Sequence, residues 1–150
     1  MGIASQILEM MGATAQIPSL AREFSEDEQK SIYSSAFQHY ALNQFDKAIP
    51  LFSQLTMIAP LQIAYWQGLA SCYQMQGLYD LALHSWAMCS LLDSADPVAH
   101  YHAGECLFAK EDHHEALKAI NLCLLASSDA NLTQKAQRLK ALCNTTAKPN

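Results

Sequence analysis

Two groups of residues are of the types that do chemistry. The first is a cysteine ladder: Cys72, Cys89, Cys106 and Cys123 stand 17 residues apart, with Cys143 beyond them. Thiolates bind zinc or act as nucleophiles, but zinc sites and disulfide frameworks use short, clustered spacings, and a 17-residue period matches neither. The second is a histidine group. His113 and His114 follow Cys106 by seven and eight residues, which invites a metal reading, and His100 and His102 stand beside Glu105, which invites acid–base chemistry. Neither carries a metal-ligand spacing or a catalytic motif. The chain also has no Gly-rich phosphate loop and no nucleophile elbow. The expectation is therefore a protein that is not an enzyme, with no cofactor and no metal, whose cysteines are small buried hydrophobes and whose histidines are packed, solvated or in contact with a partner.

The period itself points to the elements that position these residues. A shift of 34 residues aligns Ala36, Ala70 and Gly104; Phe45, Tyr79 and His113; Ala48, Ala82 and Ala116; and Phe52, Trp86 and Ile120, with no gap. Large and small residues alternate down these columns. A 34-residue period with this pattern marks the tetratricopeptide (TPR) helix–turn–helix repeat. Two antiparallel helices can approach closely where small residues meet, at Ala70 and Ala82, while Tyr79 and Trp86 fill the space on either side. Cys72 and Cys106 fall in one column of the first helix, and Cys89 and Cys123 in one column of the second.

The fold class expected is all-α: a TPR-type solenoid of three repeats with an N-terminal helix and a C-terminal capping helix, in a single domain over 1–150. The N-terminal segment covers 1–24, the repeats 29–62, 63–96 and 97–130, the capping helix 131–143 and a tail 144–150. Ser25 followed by Glu28 predicts a capping box at the start of the first repeat helix. Asn43, Gly77 and Glu111 fall at the inter-helix turns, where a left-handed residue suits Asn and Gly better than Glu. Pro97 after Asp96 suits a first helical turn. The segment "LTQKAQRLKALC" offers a polar face to close the stack.

Composition narrows the partners. The net charge is −5 and no basic run suits a phosphate backbone, so no nucleic-acid partner is expected. No stretch is apolar for long enough to span a bilayer, so direct membrane insertion is not expected. The opening residues lack a basic region, Glu9 interrupts their apolar run, and Gln6 breaks the myristoylation pattern, so a cytoplasmic location is expected.

In a TPR stack the first helices line a concave groove. Groove positions are expected at Lys30, Tyr33, Phe37 and Tyr40; at Ala64, Gln67, Ser71 and Gln74; and at Val98, Tyr101, Glu105 and Phe108. One end is aromatic, the middle small and polar, the far end mixed. Tyr33, Phe37 and Tyr40 share a helix face and offer a receptacle for apolar side chains of a peptide, because Ile32, Ala36, Phe45, Ala48 and Phe52 already fill the core columns. TPR co-chaperones that hold a C-terminal carboxylate use Lys and Asn where Tyr33 and Phe37 stand here, and basic residues where Val98 and His102 stand. That clamp is absent.

The run Tyr33, Ala36, Phe37, Tyr40, the run Gly77, Tyr79, Asp80, Ala82, Ser85, and the run His102, Ala103, Glu105, Cys106, Leu107 resemble the class II chaperones of bacterial type III secretion, the translocator chaperones. The likeness covers roughly residues 25–125. It implies a non-catalytic cytoplasmic protein of a Gram-negative bacterium that holds hydrophobic secreted translocator proteins soluble and secretion-competent, with an extended apolar segment in the groove. It also implies a possible homodimer, for which Ile7, Leu8 and Met11 form the candidate face. The alternative is a generic TPR scaffold for another protein partner.

Overall fold

The computed structural model describes residues 23–146, and the proposed dimer face Ile7, Leu8 and Met11 lies outside them. Seven helices occupy the described residues: α1 Glu26–Ala41, α2 Phe45–Ile58, α3 Ile63–Met75, α4 Tyr79–Leu92, α5 Pro97–Ala109, α6 His113–Ala126 and α7 Ala130–Thr146. They pair as α1–α2, α3–α4 and α5–α6, with α7 closing the stack on α6. Each helix packs on its neighbours in sequence; beyond these, α1 touches α3 and α5 touches α7. The all-α repeat architecture is the one the 34-residue period requires.

Local chemistry sets the helix boundaries. At the first, the Ser25 hydroxyl accepts from the Glu28 N–H at 3.2 Å while the Glu28 carboxylate accepts from the Ser25 N–H at 2.9 Å, a closed capping box. Asp96 accepts from the Val98 N–H and Pro97 takes the first helical position, where its missing N–H costs nothing. Asp112 and Asp129 accept from the N–H groups of Glu115 and Leu132.

The three turns inside the repeats are copies of one motif. Asn43, Gly77 and Glu111 have φ of 56°, 72° and 63°. Each N–H donates back three residues, and the following N–H donates back five: Gln44 to His39 O at 2.8 Å, Leu78 to Tyr73 O at 2.9 Å, Asp112 to Leu107 O at 3.0 Å. This is the Schellman closure, which folds the chain back after the left-handed residue. Glu111 adopts the conformation although its side chain disfavours it.

Ala36, Ala48, Ala70, Ala82 and Ala116 are fully buried, as close helix approach demands. Phe52, Trp86 and Ile120 fill the space beside them in three successive clusters. All five cysteines are free and buried. Burial pushes the Cys72 thiol up to about 11 and those of Cys89 and Cys106 up to about 12, so they pack as neutral thiols. The closing helix is longer than its apolar pattern: it runs to Thr146, where Thr145 and Thr146 hydroxyls donate to the Leu142 carbonyl and extend the last turn.

Candidate functional site: an aromatic cleft continued by a polar network

A cleft of about 200 Å³ opens on the face formed by α1 and α3. Tyr33, Phe37 and Tyr40 line it from α1, Ala64, Gln67, Gly68 and Ser71 from α3, and Phe52 from α2. A space of this size accepts one ring or branched side chain. Six expected groove residues of the first two repeats, Tyr33, Phe37, Tyr40, Ala64, Gln67 and Ser71, thus meet in one cleft.

The three aromatics do not share one environment. Tyr33 sits 5.6 Å from the Tyr65 ring and 6.0 Å, edge-on, from Phe52; Tyr40 sits 5.6 Å, edge-on, from Phe45. Both are half-buried and pack on the first core cluster while presenting a face to the cleft. Phe37 is 53% exposed. It touches its helix neighbours Tyr33 and Tyr40, at 6.4 and 6.2 Å between centroids. An exposed phenyl flanked by two ordered rings is the most available apolar surface of the cleft.

Gly68 belongs to the site and was not among the expected groove residues. A Cβ at this position would lie only 2.3–2.6 Å from carbons of the Phe52 ring, so the glycine lets that ring floor the cleft. The available signal was a glycine inside a helical pattern, which carries a propensity cost of about 1 kcal/mol and so implies a packing reason.

Gln74, Glu105 and Tyr101 are brought together in a different way. Trp86 Nε1 donates to Gln74 Oε1 at 3.0 Å, and Gln74 Nε2 donates to Glu105 Oε2 at 2.9 Å. His102 Nδ1 lies 2.7 Å from the same carboxylate oxygen, and its ring stacks on Trp86 with centroids 4.7 Å apart. Burial pushes the Glu105 carboxyl up. Bonds from His102, Gln74 and Tyr101 and the charge of His102 outweigh this and hold it below its ordinary value. Burial, and then the charge of Glu105, push the Tyr101 hydroxyl up to about 12. These expected groove residues therefore tie the second repeat to the third. Phe108, the last of the set, is half-buried against His113 at 5.3 Å. His113, in the aromatic column, packs as a ring, with a buried Nδ1 that has no partner.

Among the described residues, no group of three or more His, Cys, Asp or Glu side chains gathers as a metal site. No helix of the described residues is long and apolar enough to cross a membrane.

Known proteins share this architecture. No protein-family model matches the chain. The low calcium response locus protein H of Yersinia pestis is 33% identical over 98 residues, which cover 65% of this chain and 58% of that protein. The chain thus spans under two thirds of the length of the curated relatives it matches. The Yersinia enterocolitica type III secretion chaperone SycD, solved with a peptide of the translocator YopD, superposes with a TM-score of 0.79 at 26% identity, covering 85% of this chain and all of that one. PcrH, a Pseudomonas aeruginosa protein solved with the chaperone binding region of PopB, superposes with a TM-score of 0.71 at 30% identity, covering 81% of this chain and 98% of that one. With the repeat period, the aromatic cleft and these likenesses together, the chain belongs to the translocator chaperones of type III secretion.

Proposed function

We propose that this protein binds an extended apolar segment of one or more hydrophobic translocator proteins in its concave groove and keeps them soluble and competent for secretion. The role is non-catalytic and is carried out in the cytoplasm of a Gram-negative bacterium. The observation that carries the reading is the cleft: an exposed Phe37 between Tyr33 and Tyr40, facing the small residues Ala64, Gly68 and Ser71 across a space of side-chain size. Tyr33, Phe37, Tyr40, Gln67 and Ser71 receive the apolar anchor. Gln74, Tyr101, Glu105 and Phe108 continue the surface past it. Gln67 and Ser71, side by side on α3, offer polar groups to the main chain of an extended peptide. The relative SycD was solved with a peptide of the translocator YopD and PcrH with the chaperone binding region of PopB, which supports this class of client. SycD has also been solved as an alternative dimer, which supports self-association as a further property.

The test is co-expression with a hydrophobic translocator and co-purification, wild type beside Phe37→Ala. A soluble complex that weakens by about 1–3 kcal/mol in a variant with unchanged helicity is expected, as for an aromatic anchor. A complex indifferent to Phe37 would move the client off the cleft. No complex with any translocator would leave a TPR scaffold for another partner.

A further inference from the structure

The aromatic cleft has a counterpart one repeat later, and the chain fills it. A shift of 34 residues carries Phe52 to Trp86, Tyr40 to Gln74, Gly68 to His102 and Ser71 to Glu105. In the first interval, between α1 and α3, Gly68 and Ser71 are small and the cleft opens beside them. In the second, between α3 and α5, both places hold large polar side chains. His102 lays its ring on the Trp86 indole, with centroids 4.7 Å and planes 19° apart. Glu105 fixes it there, since the same Oε2 takes His102 Nδ1 at 2.7 Å and Gln74 Nε2 at 2.9 Å. Gln74 in turn accepts from Trp86 Nε1 at 3.0 Å. Imidazole, carboxylate, amide and indole thus form a closed loop across the interval. The floor differs as well. Phe52 lies so near the Gly68 backbone that a Cβ there would collide with its ring. His102 has a Cβ, so Trp86 cannot hold the same pose beneath α5 and meets a side chain where Phe52 meets backbone.

We infer that His102 is a specificity-determining plug: its ring, clamped by Glu105, closes the second interval to apolar side chains and confines the client's apolar anchor to the first cleft. The inference rests on the proposed use of that cleft and adds what the client must carry beside its anchor. An apolar side chain entering between α3 and α5 would have to displace His102 from Trp86 and break the bond to Glu105, leaving polar groups without partners. A small or polar side chain passes over them at no such cost. Packed helices stand on the order of 10 Å apart, which is about three residues of extended chain. The client is therefore apolar at its anchor and small or polar about two to four residues away, where it crosses the plug. His102 and Glu105 set the register in which a segment can lie, because only one of the two intervals accepts the anchor.

The experiment selects a phage-displayed library of random short peptides on the full chain, as wild type, His102→Ala, His102→Ala/Glu105→Ser and His102→Gln, each checked for helicity by circular dichroism. Wild type should enrich peptides with one large apolar position whose binding is lost in Phe37→Ala. The two variants that remove the ring should enrich peptides with a second large apolar residue about two to four positions from the first. Those peptides should bind the variants about tenfold or more tighter than wild type in fluorescence polarisation, as burial of one further apolar side chain requires. His102→Gln keeps a polar side chain able to donate to Glu105 and should return the wild-type pattern. If the double variant loses helicity, His102→Ala, which retains the Gln74–Glu105 bond, decides. Two-anchor peptides at this spacing on wild type, equal affinities for wild type and variants, or a folded His102→Ala that selects the wild-type pattern would overturn the plug and leave the cleft reading standing. Peptides indifferent to Phe37→Ala, or no enrichment on any form, would overturn the cleft reading and the plug with it.

Discussion

At the scale of single residues, the aromatic triplet divides its labour. Phe37→Ala removes an exposed ring and should cost binding while leaving the melting temperature nearly unchanged. Tyr33→Ala removes the same kind of surface but also the contacts to Phe52 and Tyr65, so it should lower both. Equal stability in the two variants, measured by thermal melts, would contradict the half-core placement of Tyr33. Gly68→Ala tests the floor of the cleft. The added methyl meets the Phe52 ring, and overpacking of this kind costs about 1–3 kcal/mol. The better helix propensity of Ala returns up to about 1 kcal/mol. The expected signature is a clear loss of affinity by calorimetry with a smaller loss of stability, since a displaced Phe52 ring intrudes on the cleft. Unaltered affinity would remove Gly68 from the site. The sequence showed Tyr33, Phe37 and Tyr40 because helical spacing places them on one face. It hid Gly68, whose role exists only across the interface with Phe52.

At the scale of elements, the repeat period made the helices and turns legible. Alanines at fixed offsets marked the close approaches, and Ser25, Pro97 and the three turn residues marked boundaries through local chemistry alone. Periodicity could not show that Gln74 and Glu105 bond to each other, since the contact joins residues of two repeats. Glu111 gives a test of turn chemistry. Its backbone stands at φ 63°, where a side chain costs roughly 1–2 kcal/mol and Gly costs none. Glu111→Gly loses part of this gain to the freer unfolded chain, so a net stabilisation of about 0.5–1 kcal/mol is expected in urea melts. A destabilised variant would mean that the Glu111 side chain contributes something the turn geometry does not reveal.

For the whole molecule, the coupling between repeats depends on pH. The Glu105 carboxyl titrates lower in the folded chain than its ordinary value of 4.5. Its contribution is therefore present at neutral pH and is lost as pH falls below about 4.5, through the folded value. Glu105→Gln should flatten this part of the acid dependence, measured as urea midpoints at about pH 7 and about pH 4. An identical slope in the variant would show that the carboxylate does not join the repeats. Buried thiols act at the other end of the scale. Cys72, Cys89 and Cys106 are raised in the folded chain, so the stability they protect is present below their ordinary value and is lost as pH rises towards about 11–12.

The aromatic cleft is drawn from residues 33–71 alone. A ribosome adding roughly 5–20 residues per second has placed every lining residue in the chain before it reaches α5, α6 or α7. Contacts between sequence neighbours need no distant strand to wait for. The cleft is therefore encoded ahead of the third repeat and the closing helix that complete the stack.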